Sequence, residues 1–335
     1  MNYRRILGIE TSCDETGVAL VEEGKVVSAL VATQQVHAEW GGVVPELASR
    51  LHQRTLAKMV NEILNKQGWT FQQLDGVAAT RGPGLIGALL VGVSYAKGLA
   101  VALDIPYCGI NHLEAHLWAV GIEGQVVSLP ALALLVSGGH TELIQVEKFG
   151  RYRFLGGTLD DAAGEAFDKI GGLLGIPYPA GAELNLRAIQ GNPKRFPLPI
   201  AETKNPLDFS FSGLKTAALR LFEQLKRDAR RDDWQSDFAA SFQLAVVTQI
   251  TRTLTCALTR GDYKSLILSG GVAANTLLRI EAASLATQYG IELHIPSIAN
   301  CTDNGAIVAY LGAKYLNLRG GDPHDQEADP NLDLT

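Results

Sequence analysis

Residues 5–35, RILGIETSCDETGVALVEEGKVVSALVATQQ, hold three short apolar runs, RILGIET, GVALVEE and VVSALVA, broken by the turn-forming stretches SCDET and EGK. That spacing predicts three strands joined by tight turns. Residues 131–158, ALALLVSGGHTELIQVEKFGRYRFLGGT, repeat the pattern with GHT and FGR as the breaks. After the first triplet come a helical period (PELASRLHQRTLAKMVNEILNK), a strand (GVAAT), a helix (LIGALLVGVSYAKGLAVAL), a strand (PYCGI) and a helix opening at His112. After the second come helix DDAAGEAFDKIGGLLG, a long insertion, helix DFAASFQLAVVTQITRTLTCAL, strand SLILSGG, helix ANTLLRIEAASLATQ, strand ELHIP and helix TDNGAIVAYLGAKYL. Each half therefore reads as an α/β lobe, a mixed sheet covered by helices, and the two lobes read as structural duplicates. The expected boundaries are 1–128 for the first lobe and 129–320 for the second, with an insertion at about 176–236 and an acidic, disordered tail at 321–335.

At 335 residues and 47% hydrophobic content the chain has enough apolar material for two cores with a cleft between them. Cys13, Cys108, Cys256 and Cys301 are scattered, without the spacing of a disulfide framework or zinc knuckle, which fits a reducing cytoplasm. The apolar stretch of MNYRRILGIETS is too short for a signal sequence, and no later segment holds eighteen uninterrupted apolar residues, so a soluble protein with no membrane partner is expected. A net charge of -6 argues against a broad electrostatic grip on nucleic acid by this chain alone. The local basic clusters Lys226, Arg227, Arg230, Arg231 and Lys194, Arg195 read first as solvated helix faces.

His112 and His116 stand four residues apart at the start of a helix, which puts both rings on one face. Asp303 opens the equivalent helix of the second half, so the three read as metal ligands meeting across the cleft, with coordination positions left open. A histidine pair at this spacing is also a common accident of helix composition. Sheets of this kind bind ligands beyond the carboxyl ends of their strands, and the loops there are IETSCDETG, TRGPGLIG, LVSGGHT and LSGGVAAN. Ser137, Gly138 and Gly139, and likewise Ser269, Gly270 and Gly271, fit a backbone cradle for phosphate, although each alone reads equally well as a tight turn. Neither is a Walker loop or a dinucleotide fingerprint. Glu10 and Asp14 flank the first loop, either as turn residues or to hold a cation or a water. Asp168, three residues after Glu165 on an apolar helix, needs a partner if buried, such as a ligand hydroxyl or amine. Asn275 offers donor and acceptor in the same mouth, in competition with service as a helix N-cap.

The motifs IETSCDET, GGVVPELASR, GPGLIGALLVG, NHLEAH, LLVSGGHTEL, DDAAGEAFDK, FSFSGLKT, SGGVAAN and CTDNGA, in this order from about residue 6 to about 315, together resemble the family that makes N6-threonylcarbamoyladenosine in tRNA, the bacterial TsaD proteins. The resemblance implies an actin/hexokinase/Hsp70-like (ASKHA) two-lobed fold. It implies transfer of a threonylcarbamoyl group from threonylcarbamoyl-AMP to N6 of adenosine 37 in tRNAs reading codons that begin with A, with release of AMP. It implies one metal ion, Fe(2+) before Zn(2+), on His112, His116 and Asp303, and Mg(2+) where nucleotide is bound. Leu135, Val136, Ser137, Gly138, Gly139, Asp168, Gly181 and Asn275 are implied as substrate contacts, and a TsaB-like paralogue and a TsaE-like ATPase as partners. In YPAGAEL the chain departs from the family pattern, with Ala180 and Ala182 where Gly and Pro are usual. His140 titrates in a useful range beside the Gly pair, but the catalytic base is not identified by any residue pattern.

Two rivals are weighed against this. HLEAH differs from the HExxH and HxxEH of zinc peptidases, because Glu114 occupies the middle position, off the histidine face. An ATP-binding ASKHA kinase or chaperone-like module without transferase activity holds its nucleotide chiefly through aspartates, and tight binding of a transition metal would separate it from the transferase.

Overall fold

The computed structural model describes residues 3–227 and 234–334, which form two compact units, one of Met1–Gln125 with Thr302–Leu334 and one of Val126–Cys301. The first unit carries β1 (Arg5–Glu10), β2 (Glu15–Glu22), β3 (Lys25–Thr33), β4 (Gly76–Gly82) and β5 (Tyr107–Asn111) in the order β3-β2-β1-β4-β5. Strands β1 to β3 are antiparallel, whereas β1, β4 and β5 are parallel. Helices α1 (Pro45–Gln67), α2 (Ile86–Leu103) and α3 (His112–Trp118) follow in chain order.

The second unit repeats the scheme. Its strands β6 (Ala131–Val136), β7 (Thr141–Lys148), β8 (Arg151–Gly157), β9 (Ser265–Ser269) and β10 (Glu292–His294) lie in the order β10-β9-β6-β7-β8. The first three are again antiparallel and the last two parallel to β6. Its helices are α4 (Ala163–Leu173), α5 (Gly181–Ile189), α6 (Ser212–Arg227), α7 (Gln235–Leu258), α8 (Thr276–Tyr289) and the single turn α9 (Ile298–Cys301). The duplication read from the two strand triplets is therefore visible strand by strand. The central strands are buried on both faces, which is why RILGIE and ALALLV are apolar runs. Edge strand β3 instead alternates exposed and half-buried residues.

The insertion is part of the second core, with Phe196, Phe209, Phe211, Leu214, Ala218 and Trp234 buried against α7 residues such as Phe238 and Phe242. Of the basic clusters, Arg195 is paired with Asp237, Lys226 and Arg227 are exposed at the end of α6, and Arg230 and Arg231 lie outside the described residues.

Two expectations about the C-terminal part are overturned. The last helix, α10 (Gly305–Arg319), belongs to the first unit, so the second ends at Cys301 rather than near 320. It lies directly on the first sheet because small residues meet there. A Cβ on Gly8 would run into the Ala309 backbone, and one on Gly305 would stand 2.5 Å from the Val18 carbonyl carbon. Residues 321–334 are also packed. Asp322 N–H donates to Tyr107 O (2.7 Å), and the Asp322 carboxylate accepts from Gly109 N (2.9 Å), so the tail satisfies edge strand β5. Further along, Asp329 N–H donates to Arg81 O (2.8 Å), and Asn111 Nδ2 donates to Asp333 O (3.1 Å). Of these acids Asp322 uses its carboxylate on a strand donor, whereas Asp329 and Asp333 join the first unit through their main chain.

Candidate metal centre and substrate loops

Because β1, β4 and β5 are parallel, their carboxyl ends share one edge of the first sheet. Glu10 ends β1, Thr80 lies near the end of β4, and His112 follows β5 directly. Asn111 is the N-cap of α3, its Oδ1 accepting from Leu113 N (2.9 Å) and Glu114 N (3.1 Å), and this cap fixes where the helix begins. One turn of α3 then brings His112 and His116 together, ring centroids 4.7 Å apart. Asp303 arrives just before α10, with Oδ1 2.9 Å from His116 Nε2 and 3.5 Å from His112 Nε2. All three candidate donors thus belong to the first unit. The ligand set was expected to be shared between two lobes, and the docking of α10 on the first sheet corrects that.

The donor set fits a transition metal. One ligand atom from each residue falls within 4.8 Å of the others, against an edge of about 3.4 Å for a tetrahedron with bonds near 2.1 Å. The His116 ring is 1% exposed, and its Nδ1 is buried without a hydrogen-bond partner. Its polar contact is made through Nε2, to Asp303. His112 is oriented from behind. Its Nδ1 lies 3.1 Å from Glu10 Oε2 and 3.3 Å from Ser12 Oγ. Nδ1–H donation to the carboxylate leaves Nε2, on the Asp303 side, as the nitrogen a metal ion would take in place of its proton. Glu10 is fully buried, and it also accepts from Ser12 N (2.5 Å) and Thr80 Oγ1 (2.6 Å).

The electrostatics call for a cation. Burial opposes charge on His112, yet Asp303 and Glu10 outweigh it and raise its pKa to about 9. Burial likewise opposes ionisation of Glu10, and the attraction of His112 wins, lowering its pKa. Glu15 is pushed up to about 9 by burial and then by Asp303, Asp14 and Glu10. Burial, then Asp14, Asp303 and Glu15, push the Cys13 thiol up, which disfavours its thiolate. Asp14 is 6% exposed and belongs to this anionic cluster, but it is not among the converging donors. Glu114 is turned elsewhere, accepting from Tyr315 Oη at 2.5 Å, so it is not placed as a peptidase base.

In the second unit, Leu135 and Val136 are buried strand residues whose side chains belong to the core. Ser137 to Gly139 form the β6–β7 hairpin turn. Ser137 N donates to His140 O (2.8 Å), and Ser137 Oγ accepts from His140 N (3.1 Å), so the His140 backbone has a structural role. Gly164 N, at the start of α4, donates to Ser137 O (3.1 Å), which brings a helix N-terminus to the loop, and Gly138 and Gly139 face open space. Gly270 has φ +90°, and a Cβ there would strike the Val136 carbonyl. The two Gly-Gly turns, Ser137–Gly139 and Ser269–Gly271, are therefore neighbours. Ser269 Oγ is buried without a hydrogen-bond partner. Asn275 is the N-cap of α8, accepting from Leu278 N (3.0 Å) and donating to Gln243 Oε1 (2.8 Å), so one amide N–H and one lone pair remain for a ligand. Asp168 is half-buried, accepts from Ala180 N (2.7 Å) and so holds the segment that leads into Gly181, the first residue of α5. Ala180, the departure from the family pattern, is fully buried against Gly171.

Ser12 and Thr80 are partners that motif reading passes over. Their signal is slight: a hydroxyl at the end of an apolar strand, beside an acid in the same position on its neighbour.

The family model described as tRNA N6-adenosine threonylcarbamoyltransferase matches residues 25–310. The chain is 46% identical over 329 residues to a protein of that name from Geobacter sp. (strain M21), covering 97% of this chain and 95% of the other. It is 48% identical over 317 residues to one from Geotalea uraniireducens (strain Rf4), covering 93% and 91%. Among solved structures, component A of the Acidaminococcus fermentans (R)-2-hydroxyglutaryl-CoA dehydratase is similar with a TM-score of 0.58 at 16% identity, over 94% of this chain and 99% of that one. HypF of T. kodakarensis gives 0.57 at 17%, over 94% and 48%. At those identities the likeness is one of fold, the actin/hexokinase/Hsp70-like class.

Proposed function

The chain belongs to the tRNA N6-adenosine threonylcarbamoyltransferase family, and from that premise we propose that His112, His116 and Asp303 hold the metal ion of a threonylcarbamoyl transferase whose second unit binds the adenylate. The reaction is transfer of the threonylcarbamoyl group from threonylcarbamoyl-AMP to N6 of adenosine 37 in tRNAs that read codons beginning with A. The amine nitrogen bonds to the carbamoyl carbon, the bond to the phosphate oxygen breaks, N6 loses a proton, and AMP leaves. One observation carries the metal reading: two histidines on one helix turn and an aspartate 187 residues further on converge in a buried, anionic site with an orienting carboxylate behind one histidine.

Two imidazoles and a carboxylate suit Fe(2+), the ion we favour, and also Zn(2+). When bound, the ion supplies an electrophilic centre with coordination positions beyond the three protein donors. The protein's own part is positional. Glu10 fixes the tautomer of His112, Ser12 and Thr80 fix Glu10, and the α3 cap fixes the spacing of the two rings. In the second unit, the Ser137–Gly139 turn steadies phosphate charge and the Gly270–Asn275 mouth receives the AMP portion, with Mg(2+) accompanying the nucleotide. Leu135 and Val136 contribute backbone there. Asp168 and Gly181 contact the threonylcarbamoyl-adenylate from the α4–α5 side. The proton acceptor for N6 is not assigned to a residue.

We place the protein in the cytoplasm, with tRNA and four free cysteines. It works there with a TsaB-like paralogue and a TsaE-like ATPase. Helix α2 supports a protein partner. It is the one helix among the described residues long and apolar enough to cross a bilayer, yet it packs on α1 and β4 and exposes Ile86, Leu90 and Val101. The decisive test is incubation of the pure chain with threonylcarbamoyl-AMP and tRNA, with and without those partners, alongside His112→Ala. Loss of bound metal and of transfer together, with an unchanged circular dichroism spectrum, is expected. A metal-free variant of full activity would refute the assignment.

A further inference from the structure

Trp40 is 70% exposed, well above Phe154 at 52%, the next most exposed of the Trp and Phe side chains among the described residues. An indole left in water contributes little to the core and offers a free aromatic face to a ligand. It ends a 3-10 turn, Gln35–Trp40, on the loop that follows β3. Strand β3 runs parallel to β1, because each is antiparallel to β2, so this loop leaves the sheet at the edge that carries Glu10, Thr80 and His112. Two strand spacings, about 10 Å, separate the ends of β3 and β1.

The backbone beneath the indole is held on every side. His37 is fully buried, its Nε2–H donating to Gln34 Oε1 (2.8 Å) and its Nδ1 accepting from Val44 N (3.3 Å). Gln34 in turn donates through Nε2 to Ala48 O (3.2 Å) and through its backbone to Asp14 O (3.3 Å). Gly41, with φ +67°, and Gly42 donate back to Ala38 and His37 carbonyls. The loop is thus tied to the segment that includes Ser12 and Asp14, while its tip presents a flat ring. Beside the ring, Gly41 and Gly42 have open space where side chains would stand, which lets a planar group lie close.

The chemistry of the loop selects the ligand. Residues 34–44, QQVHAEWGGVV, include no lysine or arginine and one exposed acid, Glu39, so this surface does not grip phosphate. An aromatic face with small neighbours does suit a nucleobase. The substrate adenosine lies in a single-stranded loop, where unpaired bases are splayed out and stacked on aromatic side chains. Resting on the transferase reading above, we infer that Trp40 is a stacking platform for an anticodon-loop base near adenosine 37.

The test compares wild type, Trp40→Ala and Trp40→Phe in the complete reaction with partner proteins. For Trp40→Ala the KM for tRNA should rise about 5- to 150-fold, with the KM for threonylcarbamoyl-AMP, the bound metal and the thermal midpoint unchanged. Trp40→Phe, which keeps a stacking face, should recover most of the loss. Indole emission should be quenched by tRNA in wild type, and the quenching should be absent from Trp40→Phe. A Trp40→Ala enzyme with wild-type KM for tRNA overturns the inference, and so does one that loses partner-protein binding instead. If wild type itself transfers nothing to tRNA, the functional reading fails rather than the role of Trp40.

Discussion

Replacing Glu10 by glutamine probes the carboxylate that holds His112 in place. The side chain keeps its volume, and its remaining carbonyl oxygen can still accept from Ser12 N or Thr80 Oγ1, but the acceptor facing His112 Nδ1 is lost or becomes an amide N–H. Loss of such an orienting partner costs about 10- to 100-fold in metal affinity. A second effect opposes it. Wild-type His112 has a pKa of about 9 without metal, raised by Asp303 and Glu10 against the effect of burial. A metal ion must displace that proton, so near pH 7 it forfeits about two decades of affinity. Glu10→Gln weakens the hold of the proton as well as that of the ion. The loss of affinity should therefore be full near pH 9, where proton competition is nearly absent, and smaller near pH 7. Competitive titration with a chromophoric zinc chelator at both pH values measures this directly. Equal affinities for variant and wild type near pH 9 would show that Glu10 does not orient the ligand, and a larger loss near pH 7 than near pH 9 would show that the proton is not held as described.

The remaining expectations concern the fold around the centre. Gly8→Val should drive α10 off the sheet at Ala309, costing about 1–3 kcal/mol or more and lowering metal affinity through Asp303; a urea midpoint and a metal titration on one sample would show both, and loss of stability with unchanged metal affinity would uncouple them. Asp322→Ala removes the acceptor for Gly109 N and should destabilise the first unit by about 1–3 kcal/mol, seen as faster amide exchange along β5. His52 is fully buried, donating through Nε2 to Cys13 O and accepting from Thr16 Oγ1; burial lowers its pKa below 6.5 against the pull of the Cys13 carbonyl. The unfolded chain therefore takes up a proton that the folded chain resists, so stability is full above pH 6.5 and falls as the solution is acidified below it. Denaturation of His52→Gln should show a shallower acid slope than wild type, and identical slopes would contradict this. Asn111→Ala should cost about 1 kcal/mol through the lost α3 cap, measurable as a lower thermal midpoint.

Strand triplets were legible because alternation and turn residues are local signals, and the matching triplets at 5–35 and 131–158 carried the duplication. Helical spacing carried His112 and His116 equally well. The partnership of α10 was not legible. Its buried positions, Gly305 to Ala309 and then Leu311, Gly312, Ala313 and Leu316, run almost around the helix, so no single face names the sheet it covers, and chain order suggested the wrong one. Asp303 stands out in sequence as a candidate ligand and lies beside the two histidines, yet its position depends on that long-range choice. The tail misled for a different reason. Asp322 looks like solvated charge until the Gly109 N–H of edge strand β5 is known to need it as an acceptor. Ser12 and Thr80 are ordinary turn and strand residues in sequence, and only the three-dimensional position of Glu10 gives them a role.

The return of α10 to the first sheet has a consequence for biosynthesis. Strands β1, β2 and β4 leave the ribosome early, but the helix that covers them begins roughly 220 to 300 residues after they end, a delay of about 11 to 60 s at ordinary elongation rates. Throughout that interval a greasy flank of the nascent sheet stands uncovered, open to holdases and to neighbouring polysomes. Both imidazoles are made long before Asp303, which follows His116 by 187 residues, so the three candidate donors can converge only after that stretch has been synthesised. A product terminated before residue 303 would lack the third candidate donor.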